Sequence, residues 1–140
     1  MTLLLDTNVI SELRRRRASN GRLFAWRDSV EGQLSYISVV TVIELEFGAL
    51  RAEHNRYPEA VILRAWLSDN VLKQYDGRIL PIDTPVAIAY SKLQRKRTFP
   101  SNDALIAATA LVHDLTVVTR NERDFQDSGV RIFDPWTYSP

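Results

Sequence analysis

The sequence predicts an α/β layer fold built on a mostly parallel sheet. Three features of the 140 residues carry that prediction. The short runs able to form strands are apolar throughout or β-branched, not alternating, as strands covered on both faces are. Helix-length segments with apolar residues at i, i+3 and i+4 separate those runs, and the connections are short.

Met1–Leu5 (MTLLL) reads as a short buried strand, and Thr7–Arg17 as a helix whose Val9, Ile10 and Leu13 share a face. A second helix spans Gly21–Glu31, with Leu23, Trp26, Arg27 and Val30 at helical spacing and Gly32 closing it. Leu34–Val40 (LSYISVV) has the β-branched and aromatic content of a strand. Thr41 then caps a helix from Val42 to about Glu53, with Glu44 completing the T-x-x-E capping signature. Past Pro58, Glu59–Tyr75 carries Val61, Ile62, Ala65, Trp66 and Leu72 in a helical pattern. Arg78–Ile82 is a short strand, and Thr84 caps a helix from Pro85 to about Arg97, with proline suited to its first turn. Phe99 and Pro100 break the chain before Ser101–Val112, a helix so uniformly small and apolar (ALIAATALV) that it belongs inside the domain. Leu115–Val118 and Val130–Phe133 complete the strands. A chain of this length makes one domain, residues 1–140, with a sizeable core.

Composition narrows the function classes. Apolar residues at 45% and charged residues at 25% fit a globular chain, and the absence of cysteine excludes a disulfide scaffold and thiolate metal sites. No run approaches the roughly 20 apolar residues that span a bilayer, so the expected location is cytoplasmic. The net charge of +1 hides an uneven grouping of charges.

Ligands of parallel α/β sheets sit beyond the carboxyl ends of the strands. Asp6 ends the first strand there, Glu44 lies one turn into the helix after the second, and Asp103 is in the first turn of the buried helix. Glu44 or Asp103 alone is adequately explained as an acid at a helix start. Asp6 is not, because a carboxylate so close to a buried strand is desolvated at a cost unless a cation or several donors meet it. Three acids together repel one another and raise their pKa values unless a divalent ion neutralises them. Oxygen ligands suit Mg²⁺, or Mn²⁺, better than zinc. Neither histidine joins the group: His54 ends a helix, and His113 lies ten residues beyond Asp103. Glu46 points about 200° away from Glu44 on the same helix and is a solvated or interface residue. Thr7 and Asn8 serve as helix-start residues, and Ser11 and Glu12 face solvent.

Four blocks in order, LLLDTNVISEL, TVIELEFGAL, SNDALIAATA and VVTRNERDF, resemble the motifs of PIN-domain nucleases, most nearly the toxin ribonucleases of the VapC and FitB type. The resemblance implies a three-layer α/β sandwich, Mg²⁺-dependent endoribonuclease activity and inhibition by a small antitoxin that binds DNA. It also implies that Asp6, Glu44 and Asp103 are catalytic, with Asp6 and Asp103 as direct metal ligands. Where many PIN domains place a fourth aspartate, two residues after Thr119, this sequence has Asn121. Asp124 is the available carboxylate, with Thr119 and Asn121 supporting the shell and Glu122 turned outward.

Two basic runs offer contacts to substrate phosphates: Arg14–Arg17, with Arg14 and Arg15 as candidates, and the run holding Lys92, Arg95, Lys96 and Arg97, just upstream of Asp103. The competing explanation is that both complement helix C-termini. Trp26, Trp66 and Trp136 are placed for packing more than for base stacking. An antitoxin tail reaching the acids should carry an arginine, whose planar fork bonds two carboxylates at once. Phe47, Leu50, Val61 and Leu63 cannot all face one core, so part of that surface should form a groove for the partner or a homodimer contact. Two other readings compete. A haloacid-dehalogenase-type phosphatase also begins with a strand and an aspartate but needs a second aspartate where Asn8 stands. A PIN-fold module that binds RNA or protein without cutting is the other.

Overall fold

A computed structural model describes residues 2–140. The expected α/β sandwich is present: five strands in the order β3-β2-β1-β4-β5, every neighbouring pair parallel. The strands are β1 (Leu3–Leu5), β2 (Ser35–Ser38), β3 (Ile79–Leu80), β4 (Thr116–Val118) and β5 (Arg131–Phe133). The Met1 end of the expected first strand lies outside the described residues. Alternation along β1 divides the core. Leu4 packs with Val86, Leu93, Phe99, Ile106 and Phe125 on one face. Leu3 and Leu5 pack with Val9, Leu23, Trp26, Leu67 and Tyr75 on the other.

The first layer contains α1 (Thr7–Leu13), α2 (Gly21–Ser29), α3 (Val39–His54), α4 (Ala60–Trp66) and α5 (Leu72–Gln74). Residues Leu67–Val71 form a π-helical passage between α4 and α5, so the single helix expected over Glu59–Tyr75 is one path with a widened turn. The second layer contains α6 (Thr84–Lys96), α7 (Ser101–His113) and the short α8 (Glu122–Phe125), an element not among those expected from the sequence. The interior of α7 is buried as expected, from Ala104 and from Ile106 to Ala110, but Leu111 and Val112 emerge at its end.

Two caps differ from expectation. Ser38 caps α3 by accepting from the Val40 N–H at 3.0 Å. The helix therefore starts three residues earlier, and Thr41 is a buried residue of its first turn. Asp83 caps α6, accepting from the Val86 N–H at 3.2 Å. In both cases the capping side chain sits on the last extended residue, where it reaches free N–H groups that the next threonine cannot. Helix α1 ends at Leu13, before the arginine run, and Arg17–Ser19 form a separate 3₁₀ turn.

The chain order explains where a site can form. It lays down β1, β2 and β3 in one direction across the sheet, then returns to place β4 on the other side of β1. Connections leave β1 and β4 in opposite senses, which opens a crevice at their carboxyl ends.

Candidate active site

Asp6 and Thr119 occupy that crevice as neighbours, since Leu5 pairs with Val118 and the next residue on each strand is one of these two. Asp6 is only 4% exposed, and its carboxylate is held from three directions. Oδ1 accepts from the Thr7 N–H at 2.8 Å, making Asp6 the N-cap of α1. Oδ2 accepts from the Thr119 hydroxyl at 2.8 Å and from Asn8 Nδ2 at 3.2 Å.

Thr119 is fully buried and organises its own surroundings. Its hydroxyl oxygen accepts from Asn8 Nδ2 at 3.1 Å and from the Asn121 N–H at 3.0 Å while its proton goes to Asp6. Asn8 Oδ1 accepts the Arg120 N–H at 3.2 Å, so one side chain ties the end of β1 to the loop after β4. Asn8 thus does more than start a helix, and its spacing of two from Asp6 was the available signal. Asn121 supports Thr119 through its backbone, while its own side chain is exposed and caps nothing.

Glu44 is oriented through Thr7. The Thr7 hydroxyl donates to Glu44 Oε1 at 2.7 Å and lies 3.0 Å from the Thr41 hydroxyl, which must then supply its own proton to Thr7. Glu46 faces elsewhere, paired with Arg64 of α4 at 2.7 Å. Asp103, in the first turn of α7, and Asp124, in the first turn of α8, are both partly buried. Glu122 is exposed, as expected.

Electrostatics links the four acids. Burial raises the Asp6 carboxyl above its ordinary value, its hydrogen bonds from Thr119 and Thr7 oppose that, and the charges of Glu44 and Asp124 raise it further. Asp103 is pushed up to about 6, first by burial and then by repulsion from Asp6, Asp124 and Glu44. Among the described residues none of the four has a Lys, Arg or His ion-pair partner. That donor set fits a hard divalent cation. No three of the described acids close into a ready-made cage. An ion held here would therefore rest on one or two carboxylates, with water or phosphate oxygens completing its shell.

The basic residues are dispersed. Lys96 Nζ donates to the Asp127 carbonyl and Arg97 to the Gln126 carbonyl, each at 2.9 Å, so these two brace the turn before β5 instead of standing free for phosphate. Lys92 and Arg95 are exposed on α6. Arg15 pairs with Glu12 at 3.5 Å, while the Arg14 guanidinium lies over the Trp66 ring. Trp26 is buried, but Trp66 and Trp136 are only partly so. The acids do not line the larger cavity of about 370 Å³ bounded by Leu3, Trp26, Gly32 and Tyr75. Glu44 instead borders a cleft of about 180 Å³ with Thr7, Ser11, Arg14 and Trp66.

Comparison with known proteins agrees with this architecture. The sequence profile of the PIN domain matches residues 3–129. Toxin FitB of Neisseria gonorrhoeae is 38% identical over 139 residues, covering 96% of this chain and 98% of FitB. VapC ribonuclease Y4jK of Sinorhizobium fredii is 36% identical over 141 residues, covering 96% and 97%. A solved structure of FitAB bound to an IR36 DNA fragment superposes with a TM-score of 0.83 at 34% identity, covering 99% of this chain and 98% of the other. By its sequence, and by a fold that superposes on solved relatives, this chain belongs to the PIN domain family, among relatives named as toxins and VapC ribonucleases.

Proposed function

We propose that the protein is a divalent-metal-dependent endoribonuclease and the toxin of a toxin–antitoxin pair. The observation that carries this reading is the gathering of four mutually repelling carboxylates in the β1/β4 crevice, without a counter-cation among the described residues. Asp6 and Asp103 would hold Mg²⁺ or Mn²⁺, with Glu44 and Asp124 shaping the shell. When bound, such an ion neutralises phosphate charge and makes water nucleophilic near neutral pH.

The protein's own part is preorganisation. Thr119, Asn8 and the Thr7 N–H fix Asp6 in one rotamer, so its charge needs no rearrangement as phosphate approaches. The Thr7 and Thr41 hydroxyls fix Glu44 in the same way. Water adds to phosphorus and the 3′ oxygen leaves with a proton, so the fragments carry 5′-phosphate and 3′-hydroxyl ends. End-group analysis of RNA cut by the purified protein tests this directly. Fragments ending in 2′,3′-cyclic phosphate would overturn it, since they require the ribose hydroxyl as nucleophile.

The similarity to FitB and FitAB supports a DNA-binding antitoxin as partner, and with it a cytoplasmic site of action. An arginine on the antitoxin's tail fits the negative crevice as an inhibitory plug. The surface of α3 and α4 suits a protein contact: Phe47 is 68% and Val61 78% exposed, with Ile43, Leu50 and Ile62 also exposed.

A further inference from the structure

We infer that two arginine–tryptophan pairs, Arg14 with Trp66 and Arg120 with Trp136, bracket the acids and hold single-stranded RNA across them. This deepens the ribonuclease reading and rests on it. The pairs stand on opposite sides of Asp6 in the strand order. Arg14 and Trp66 border the cleft that contains Glu44, on the α3 and α4 side, with the guanidinium 5.7 Å from the ring centroid. On the β4 and β5 side, the Arg120 guanidinium lies 5.5 Å from the Trp136 centroid. The Arg120 backbone is fastened by Asn8, the same side chain that donates to Asp6. Trp136 is placed beside it because Thr119 N–H donates to Phe133 at 3.0 Å and the chain then turns through Pro135–Thr137.

Charge explains why such residues are needed. Four carboxylates repel the phosphate they must act on, so cations at either side have to carry the strand over them. Many of the other cations are committed. Arg17 pairs with Asp28, Arg64 with Glu46 and Glu53, and Arg131 with Asp114, while Lys96 and Arg97 brace a turn. Arg14 and Arg120 are exposed and have no carboxylate partner among the described residues. Resting a guanidinium on an indole restricts its rotamers without neutralising it, and leaves its N–H edge for phosphate and its outer face for a base or sugar. The recognition is by charge and stacking, which suits an unpaired strand of mixed sequence.

The test uses the full-length protein and a fluorescein-labelled single-stranded RNA selected from those it cuts. Arg14→Gln and Arg120→Gln should each raise KM about tenfold and leave kcat within about twofold. On an Asp6→Asn background, which permits binding without turnover, each should reduce the salt slope of RNA affinity by about 0.7. Arg120→Lys should keep the slope while weakening binding, because it retains charge and loses the flat stacking face. Lys73→Gln, on α5, should change neither quantity. Wild-type cleavage with KM and salt slope unchanged in both glutamine variants would overturn the inference. If the wild-type protein neither binds nor cuts any RNA offered, the ribonuclease reading itself fails and the inference falls with it.

Discussion

At the scale of single residues, the site depends on a hydroxyl as much as on carboxylates. Thr119→Val keeps the shape but removes the donor to Asp6 and the acceptor used by Asn8 and Asn121. With Asp6 as the proposed metal ligand, cleavage should fall about 10- to 100-fold, the usual cost of losing a residue that orients such a ligand. Stability should fall by about 1–3 kcal/mol from the unsatisfied groups left behind, read by urea unfolding. Asp103 gives a pH prediction. Its carboxyl rises from 3.8 to about 6 on folding, so between those values the folded chain keeps a proton that the unfolded chain has lost. Metal-free stability is therefore fully supported below the lower value and declines as pH rises through the upper one. Asp103→Asn should flatten that decline and make the metal-free protein more stable near neutral pH, by about 1 kcal/mol once solvent screening is allowed for.

At the scale of elements, the long helices were legible by their periodicity and the strands by their short apolar or β-branched runs, and Asp6, Glu44 and Asp103 could be read from their positions just past strands or at helix starts. Local chemistry misled at the caps. The T-x-x-E pattern pointed to Thr41, yet Ser38 is the residue that remains extended while reaching the Val40 N–H. Ser38→Ala should thus cost about 1 kcal/mol in urea unfolding with little change in RNA cleavage. The four-residue α8 was invisible because it holds too few residues for a periodic signal, although it sets Asp124 half-buried near the other acids. The contact of Arg120 with Trp136 was not legible for a different reason: it comes from β4–β5 register, which sequence spacing does not encode. The outer faces of α3 and α4 make an assembly prediction. Phe47→Ser with Val61→Ser should lower the mass measured by light scattering if that face joins two copies; an unchanged mass assigns the face to the antitoxin or to neither.

At the scale of the whole molecule, the sheet order gathers the acid that follows β1 and those of α3, α7 and α8 close enough to repel one another, and holds them there. The fold thereby stores a cost that a divalent ion would relieve under the proposed function, so Mg²⁺ or Mn²⁺ should raise the thermal midpoint of the wild-type protein, and less so that of Asp6→Asn. The central claim is that these acids act through a bound ion on RNA. Its most direct test is the cleavage rate of one RNA substrate measured for wild type and Asp6→Asn across a Mg²⁺ titration that begins in excess EDTA. The account predicts no cleavage in EDTA, recovery as Mg²⁺ is added, and a loss of about 10²-fold or more in a folded Asp6→Asn protein at every Mg²⁺ concentration. Wild-type cleavage that persists undiminished in EDTA, or an Asp6→Asn protein that cuts as fast as wild type, would contradict it.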